Sequence, residues 1–474
     1  MKKVIGIDLG TSSVKCLATG FGEPVVLSAP YEKDGPEGMI SALADIFLRL
    51  NGQIDLKNTE SLGLTGQVGS YITAPRHNLH DIKLWLPWYE GGREAFLKKV
   101  LSEIDREAFF AMTGMYHPNL SSYPLPNILY IKNTYPGMFD DGGCVLCQPK
   151  DWLCALLTGD LYSDAASWRG LADWDAKKYA PELIKYAGIE ENKLPVIRDW
   201  SKIDKNGASL TGLREGTPVA VGYGDFYSAL NGMDIKDTGT FFDITGTSEH
   251  FGIITEKSAK TEKLADTPMI FGRFGENGRY AHYGVTASSG RALNMARYNF
   301  GAAAAANAGG FSSSVRVREK APIFLPYVNG ERAPVFDSGA RGIFCGVSEK
   351  CTPEDLIYSI YEGVVFSLYD IYHELGRPKI KYIKTTGGAS GIEILGILKA
   401  SVFGAPVIGE RLLNCGSAMG AVKMAGGEWE RHEISREPDA ELTGRLRYRF
   451  NVYKRMYKAW KDMTGGLDTR ELFW

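Results

Sequence analysis

Two short stretches far apart in the chain follow one pattern, and this constrains the fold more than any other feature. In VIGIDLGTSSVKCL (residues 4–17), Val4, Ile5 and Ile7 form a β-branched run bounded by Gly10, which reads as a buried strand. Asp8 falls at its end. Gly10 suits a tight turn, and Thr11, Ser12 and Ser13 supply hydroxyls and backbone N–H groups of the kind that surround phosphate oxygens. In TGTFFDITGTSEHFGII (residues 238–254), Phe241, Phe242 and Ile244 make the strand, Asp243 is the acid, and Thr245-Gly246-Thr247-Ser248 form the turn. One such hairpin alone is equally well an ordinary polar turn. Two, with the second near the midpoint, predict a duplicated fold with a phosphate hairpin in each half.

Length and composition bound the rest. At 474 residues the chain is long for one core and suggests two large domains, with strands and helices mixed in an α/β class. A net charge of −2 gives no nucleic-acid footprint, and no apolar run reaches the length of a membrane span. MKKVIGIDLG enters a strand directly, and seven cysteines without framework spacing fit a reducing cytoplasm. Cys144 and Cys147 form a CxxC, but no second ligand pair follows at zinc spacing, and Val145 and Leu146 read as a strand. These thiols are expected to be structural.

A third stretch, TPVAVGYGDFYSALNG (residues 217–232), has a strand at Pro218–Val221, then Gly222, Gly224 and Asp225 ahead of a helix bearing Phe226, Ala229 and Leu230. An Asp at a helix start is commonly a cap. The flanking glycines favour a functional acid, because a cap does not need glycine on its near side.

In order along the chain, these pieces resemble the FGGY family of carbohydrate kinases, within the superfamily of actin, the heat-shock ATPases and hexokinase. IDLGTSSVK resembles the first phosphate hairpin and DITGTS the second. SLGLTGQVGS (61–70) resembles the sugar-binding strand and turn, and QPKDWLCALLTGDLYSDAASW (148–168) a helix and loop that complete the first domain. GYGDFYSALNG carries Asp225. FLPYVNGERAP (324–334), TTGGASGIEILGILKASVFGAPV (385–407) and GSAMGAVKMA (416–425) complete the series. The resemblance implies two duplicated ribonuclease-H-like (actin-like ATPase) domains, with the active site in the cleft between them. Residues 1–235 would be the sugar-binding domain and 236–474 the nucleotide-binding domain.

The implied reaction is transfer of the γ-phosphoryl group of ATP to a hydroxyl of a small sugar, where positioning and charge neutralisation dominate. By resemblance, Asp225 is the catalytic base and contacts the substrate, and Asp8 holds Mg²⁺ through water. Gly10, Thr11, Ser12, Thr245, Gly246 and Thr247 bind the phosphates of ATP. Gly387, Gly388 and Ala389 receive the adenine, and Gln67, Ser70 and Glu90 line the acceptor pocket. Arg332 and Pro334 are carried as structural.

The sequence departs from the family pattern at the pocket. Gln67-Val68-Gly69-Ser70 stands where xylulose-kinase-like members carry Gln-Met-His-Gly. Glu90 of WYEGGR stands where Asp is usual, and Asn127 and Tyr130 replace a signature lysine and tryptophan. A ketopentose such as xylulose or ribulose is the first expectation, then sedoheptulose, then glycerol or a sugar acid. Two other classes compete. A conformational ATPase predicts no sugar pocket, and a non-catalytic sugar sensor predicts loss of Asp8 or Asp225. A homodimer is compatible with the family. Phe450, Tyr453, Met456 and Trp460 stand at helical spacing and read as a packing stripe. The Ala/Gly/Ser-rich stretch 300–315 has no assigned chemistry.

Overall fold

The computed structural model describes residues 1–117, 120–140, 142–173, 177–235, 237–256, 268–274, 279–301, 318, 320–410 and 415–465. Most of the Ala/Gly/Ser-rich stretch lies outside them. The chain forms two compact units, one of residues 1–235 and 415–430, the other of 236–414 and 431–474.

The first unit is built on six strands: β1 (Val4–Leu9), β2 (Ser13–Thr19), β3 (Val25–Pro30), β4 (Ser61–Gly66), β5 (Trp200–Lys202) and β6 (Pro218–Ala220). Their order is β5-β6-β4-β1-β2-β3. β1 and β2 are an antiparallel hairpin with Asp8 opposite Lys15. β1, β4 and β6 run parallel, with Asp8 beside Thr65. Every residue of β1 is buried, as expected of a parallel strand covered on both faces. On one face Ile5, Ile7 and Leu9 join a core with Met39, Leu43, Ile46 and Leu50 of the helix Pro36–Asn51.

The other face carries the helices Asp225–Gly232 and Gly416–Met424. The second comes from beyond residue 236, so the first unit is not bounded by a single cut there. Its backbone lies so close to the sheet that a Cβ on Gly63 would fall 2.0 Å from the Ala421 carbonyl oxygen. Glycine there lets the helix settle on β4. Ser228 Oγ donates to the Ser417 carbonyl at 2.8 Å, tying the two helices together.

The second unit repeats the plan: β7 (Phe241–Thr245), β8 (Glu249–Glu256), β9 (Ile270–Arg273), β10 (Arg279–Thr286), β11 (Ile383–Gly387), β12 (Val407–Glu410) and β13 (Glu433–Arg436). The order is β9-β10-β8-β7-β11-β12-β13. β7 and β8 form the second hairpin, and β7, β11 and β12 run parallel, with Asp243 beside Thr385. Strand for strand, β13-β12-β11-β7-β8-β10 matches β5-β6-β4-β1-β2-β3, so the duplication expected from two short motifs extends through both sheets.

The CxxC cysteines lie in the strand Cys144–Cys147, both buried as free thiols. The C-terminal helix Ala440–Thr464 buries Phe450, Tyr453, Met456 and Trp460, the expected stripe. Among the described residues, no helix is long and apolar enough to cross a membrane.

Candidate active site

In the first unit the predicted residues gather at the carboxyl ends of the parallel strands, where open α/β sheets place their ligands. Asp8 is the penultimate residue of β1, Gln67 follows β4, and Asp225 follows β6 through the turn Gly222-Tyr223-Gly224. The strand ends are held in step. Gln67 N donates to the Leu9 carbonyl at 2.8 Å, Thr65 Oγ1 donates to the Tyr223 carbonyl at 2.7 Å, and Gly66 bridges to Gly224.

Asp225 is the first residue of its helix rather than its cap; the cap position is Gly224, and no side chain caps this end. Among the described residues the carboxylate accepts only from the neighbouring Phe226 N, at 2.7 Å. The cap explanation therefore fails for this residue. Asp8 is buried, and its Oδ1 has no hydrogen-bond partner. Burial and the nearby Asp225 push the Asp8 carboxyl up to about 7, against a lowering pull from Lys15. Loss of water also raises Asp225, opposed by the Phe226 N–H, Arg169 and Lys15. A buried Asp8 beside a half-buried Asp225, with no ion pair to either among the described residues, is costly for the fold. Such pairs mark sites where charge is used.

Around them, the tip of the β1–β2 hairpin leaves Thr11 and Ser12 exposed. Gly10 N donates to the Ser13 carbonyl at 3.0 Å, and a Cβ on Gly10 would lie 3.1 Å from that oxygen. Gln67 and Ser70 are buried together, Ser70 Oγ donating to Gln67 Oε1 at 3.2 Å and accepting from Trp88 N at 3.0 Å. Trp88 Nε1 donates to Thr11 Oγ1 at 3.2 Å, linking the WYEGGR loop to the hairpin tip. Glu90 lies exposed on that loop. It shares the loop with Trp88 but makes no hydrogen bond to Gln67 or Ser70.

Sequence reasoning missed the residues that brace this pocket. Arg93 is fully buried and donates to Asn127 Oδ1 at 2.9 Å and to the carbonyls of Pro87, Trp88 and Glu90, so one guanidinium shapes the whole loop. Gln148 Oε1 accepts from Gly69 N at 2.9 Å and its Nε2 donates to the Ser167 carbonyl at 2.6 Å, fixing the turn between Gln67 and Ser70. Lys150 beneath it is buried between Asp151 (2.9 Å) and Asp164 (3.0 Å).

The second unit places its predicted residues at the matching strand ends. Gly246 and Thr247 are exposed at the β7–β8 turn. Thr245 differs: it is buried at the end of β7, where its hydroxyl donates to the Thr386 carbonyl and accepts from Ala389 N, each at 3.0 Å. It holds the Gly387–Ala389 loop to the hairpin, so any phosphate contact from Thr245 falls to its backbone. Gly387 closes β11, with φ at +100° and room for no Cβ, the Thr245 carbonyl being 2.0 Å away. Gly388 has open space beside it.

Asp243 occupies in β7 the place of Asp8 in β1, but its surroundings differ. It is fully buried, and Lys399 of the helix Glu393–Phe403 reaches it at 2.7 Å and Glu249 at 2.5 Å. Burial works against the Lys399 charge; the two carboxylates outweigh it and hold its pKa above the ordinary value.

Residues 3–232 match the N-terminal domain, and 244–429 the C-terminal domain, of the FGGY family of carbohydrate kinases. The chain is 27% identical to a xylulose kinase of Bacillus subtilis over 98% of this chain and 99% of that one. It is 26% identical to a glycerol kinase of Aquifex aeolicus, covering 98% of each. A ligand-bound xylulose kinase from Lactobacillus acidophilus has the same fold, with a TM-score of 0.81 at 21% identity, over 99% of this chain and 100% of that one. With both domains matched in order and the duplicated sheets presenting acids and glycine turns at equivalent strand ends, the chain belongs to the FGGY family of carbohydrate kinases.

Proposed function

We propose that the protein transfers the γ-phosphoryl group of ATP to a hydroxyl of a small ketose, a pentulose such as xylulose first among them. The observation that carries this reading is the pair of a buried Asp8 and a half-buried Asp225 at the carboxyl ends of β1 and β6, both with raised carboxyl pKa and, among the described residues, without ion pairs. A raised Asp225 is suited to accept the acceptor hydroxyl's proton, since a base works best when its pKa approaches the working pH. Partial neutralisation by Arg169 and Lys15 keeps it ionisable. Gln67, held by Ser70, and the WYEGGR loop, held by Arg93, orient the sugar. The β7–β8 turn and the Gly387–Ala389 loop take the nucleotide.

Magnesium fits this donor set. Mg²⁺ keeps several waters and needs only one or two carboxylates. Asp8 offers a buried carboxylate oxygen with no partner, whose raised pKa a divalent cation would reverse. The ion would neutralise phosphate charge; Asp8 would hold it, with Thr11 and Ser12 nearby on the hairpin.

A coupled assay with MgATP over a panel of pentuloses, sedoheptulose, glycerol and sugar acids tests the reading. We expect the highest kcat/KM with a pentulose. If no acceptor raised ATP consumption above background, the kinase reading would be lost. Asp8→Asn is expected to raise the Mg²⁺ concentration needed for half-maximal rate as well as slow turnover; an unchanged Mg²⁺ dependence removes Asp8 from its role. Gln67→Ala and Glu90→Ala are each expected to raise the sugar KM tenfold, about 1.4 kcal/mol, with the ATP KM little moved. Sugar kinetics untouched by both would place the acceptor elsewhere.

A further inference from the structure

The two halves hold equivalent buried acids with different neighbours. Asp8 and Asp243 sit at the same register point, each beside a threonine of the parallel neighbour: Thr65 for Asp8, Thr385 for Asp243. Each has an Oδ1 without a partner, but among the described residues no ion pair reaches Asp8, whereas Asp243 Oδ2 accepts from Thr385 Oγ1 at 2.8 Å and Lys399 Nζ at 2.7 Å.

The same ammonium bonds Glu249, the first residue of β8, whose second oxygen accepts from Ser289 Oγ at the start of the helix Ser289–Phe300. Asp243 and Glu249 flank the Thr245–Ser248 turn, Thr385 lies two residues before Gly387, and Gly290 N donates to the Gly246 carbonyl at 3.1 Å. One buried charge thus joins both strands of the hairpin, the strand leading to the Gly387–Ala389 loop, and the helix end that packs on the turn. The cluster holds two buried carboxyls to one ammonium. Burial raises the Glu249 carboxyl to about 8 against the pull of Lys399, with Asp243 adding to the rise, so loss of the lysine would leave buried acid with no cation beside it.

We infer that Lys399 is a positioning residue for the nucleotide, holding the β7–β8 turn and the Gly387–Ala389 loop at a fixed separation. This rests on the reading of that turn and loop as the ATP site.

Steady-state kinetics and direct ATP titration of Lys399→Met and Glu249→Gln test it, with folding followed by circular dichroism. The expected result is an ATP KM raised about tenfold in Lys399→Met and several-fold in Glu249→Gln, with the sugar KM unchanged and kcat at saturating ATP retained. Glu249→Gln keeps the shape and can still accept from Ser289, so it decides by the same criteria should Lys399→Met fail to fold. A folded variant with an unaltered ATP KM, or one in which sugar and ATP KM rise together, overturns the inference. Absence of ATP binding by the unsubstituted protein would instead overturn the reading of the site itself.

Discussion

Asp225→Ala is expected to lower turnover by at least the ~10²–10⁴-fold that a general base contributes, with further loss because the acceptor oxygen is no longer oriented. Nucleotide affinity should stay close to that of the unsubstituted protein, since Asp225 is assigned to the acceptor hydroxyl and not to the ATP contacts on the two hairpin turns and the Gly387–Ala389 loop. The structure adds a second, less usual expectation. Asp225 caps nothing, and its carboxyl is raised above its ordinary value. A group whose folded-state pKa is raised disfavours the fold at any pH above its unfolded value. Removing it should therefore leave the melting temperature at pH 7.5 unchanged or higher. Activity lost while stability is kept is the signature of a functional acid. Retention of most of kcat, or a fall in melting temperature of several degrees, would return Asp225 to a structural role.

The outlines of this site were legible because they are local. β1 and β7 announce themselves by β-branched and aromatic runs, and an acid followed by Gly-Thr-Ser can only fall at a strand end and turn. Gln67 comes near the strand of Asp8 through the parallel pairing of β4 with β1, which sets Asp8 opposite Thr65 and which no local motif specifies. What stayed hidden were interactions across long chain separations. Lys399 meets Asp243 and Glu249 from about 150 residues away, and nothing in a helix rich in Ile and Leu marks one lysine as buried. Arg93 was visible in WYEGGR, yet its inward direction depends on Asn127, whose amide is buried in the helix Pro124–Thr134. The return of the helix Gly416–Met424 to the first unit was hidden for a different reason: small residues on a helix specify close approach without saying to what. Thr245 was read as a phosphate ligand from its motif, and only the fold shows its hydroxyl occupied by the neighbouring loop.

Gly222 offers the sharpest test of how closely the strand ends are drawn together around Asp225. Its φ is +73°, a conformation that costs an L-residue roughly 1–2 kcal/mol. A Cβ there would stand 1.7 Å from the Leu64 carbonyl oxygen, which is backbone and cannot rotate away. Overpacking of this kind typically adds about 1–3 kcal/mol, so Gly222→Ala should lose roughly 2–5 kcal/mol in all. Relief of the clash must move either β4 or the Gly222–Gly224 turn. Both lead to the site, one to Gln67 and the other to Asp225, so turnover should fall together with stability. Gly216 supplies the control. Its φ of +84° is similar, but nothing lies within 4 Å of where a Cβ would stand. Gly216→Ala should therefore lose only the backbone share, about 1–2 kcal/mol, with kcat intact. Urea unfolding of the two variants, compared at equal m-values, separates strain from steric displacement. If both lost the same stability and both kept full activity, the close approach of Gly222 to Leu64 would not be what sets the position of Asp225.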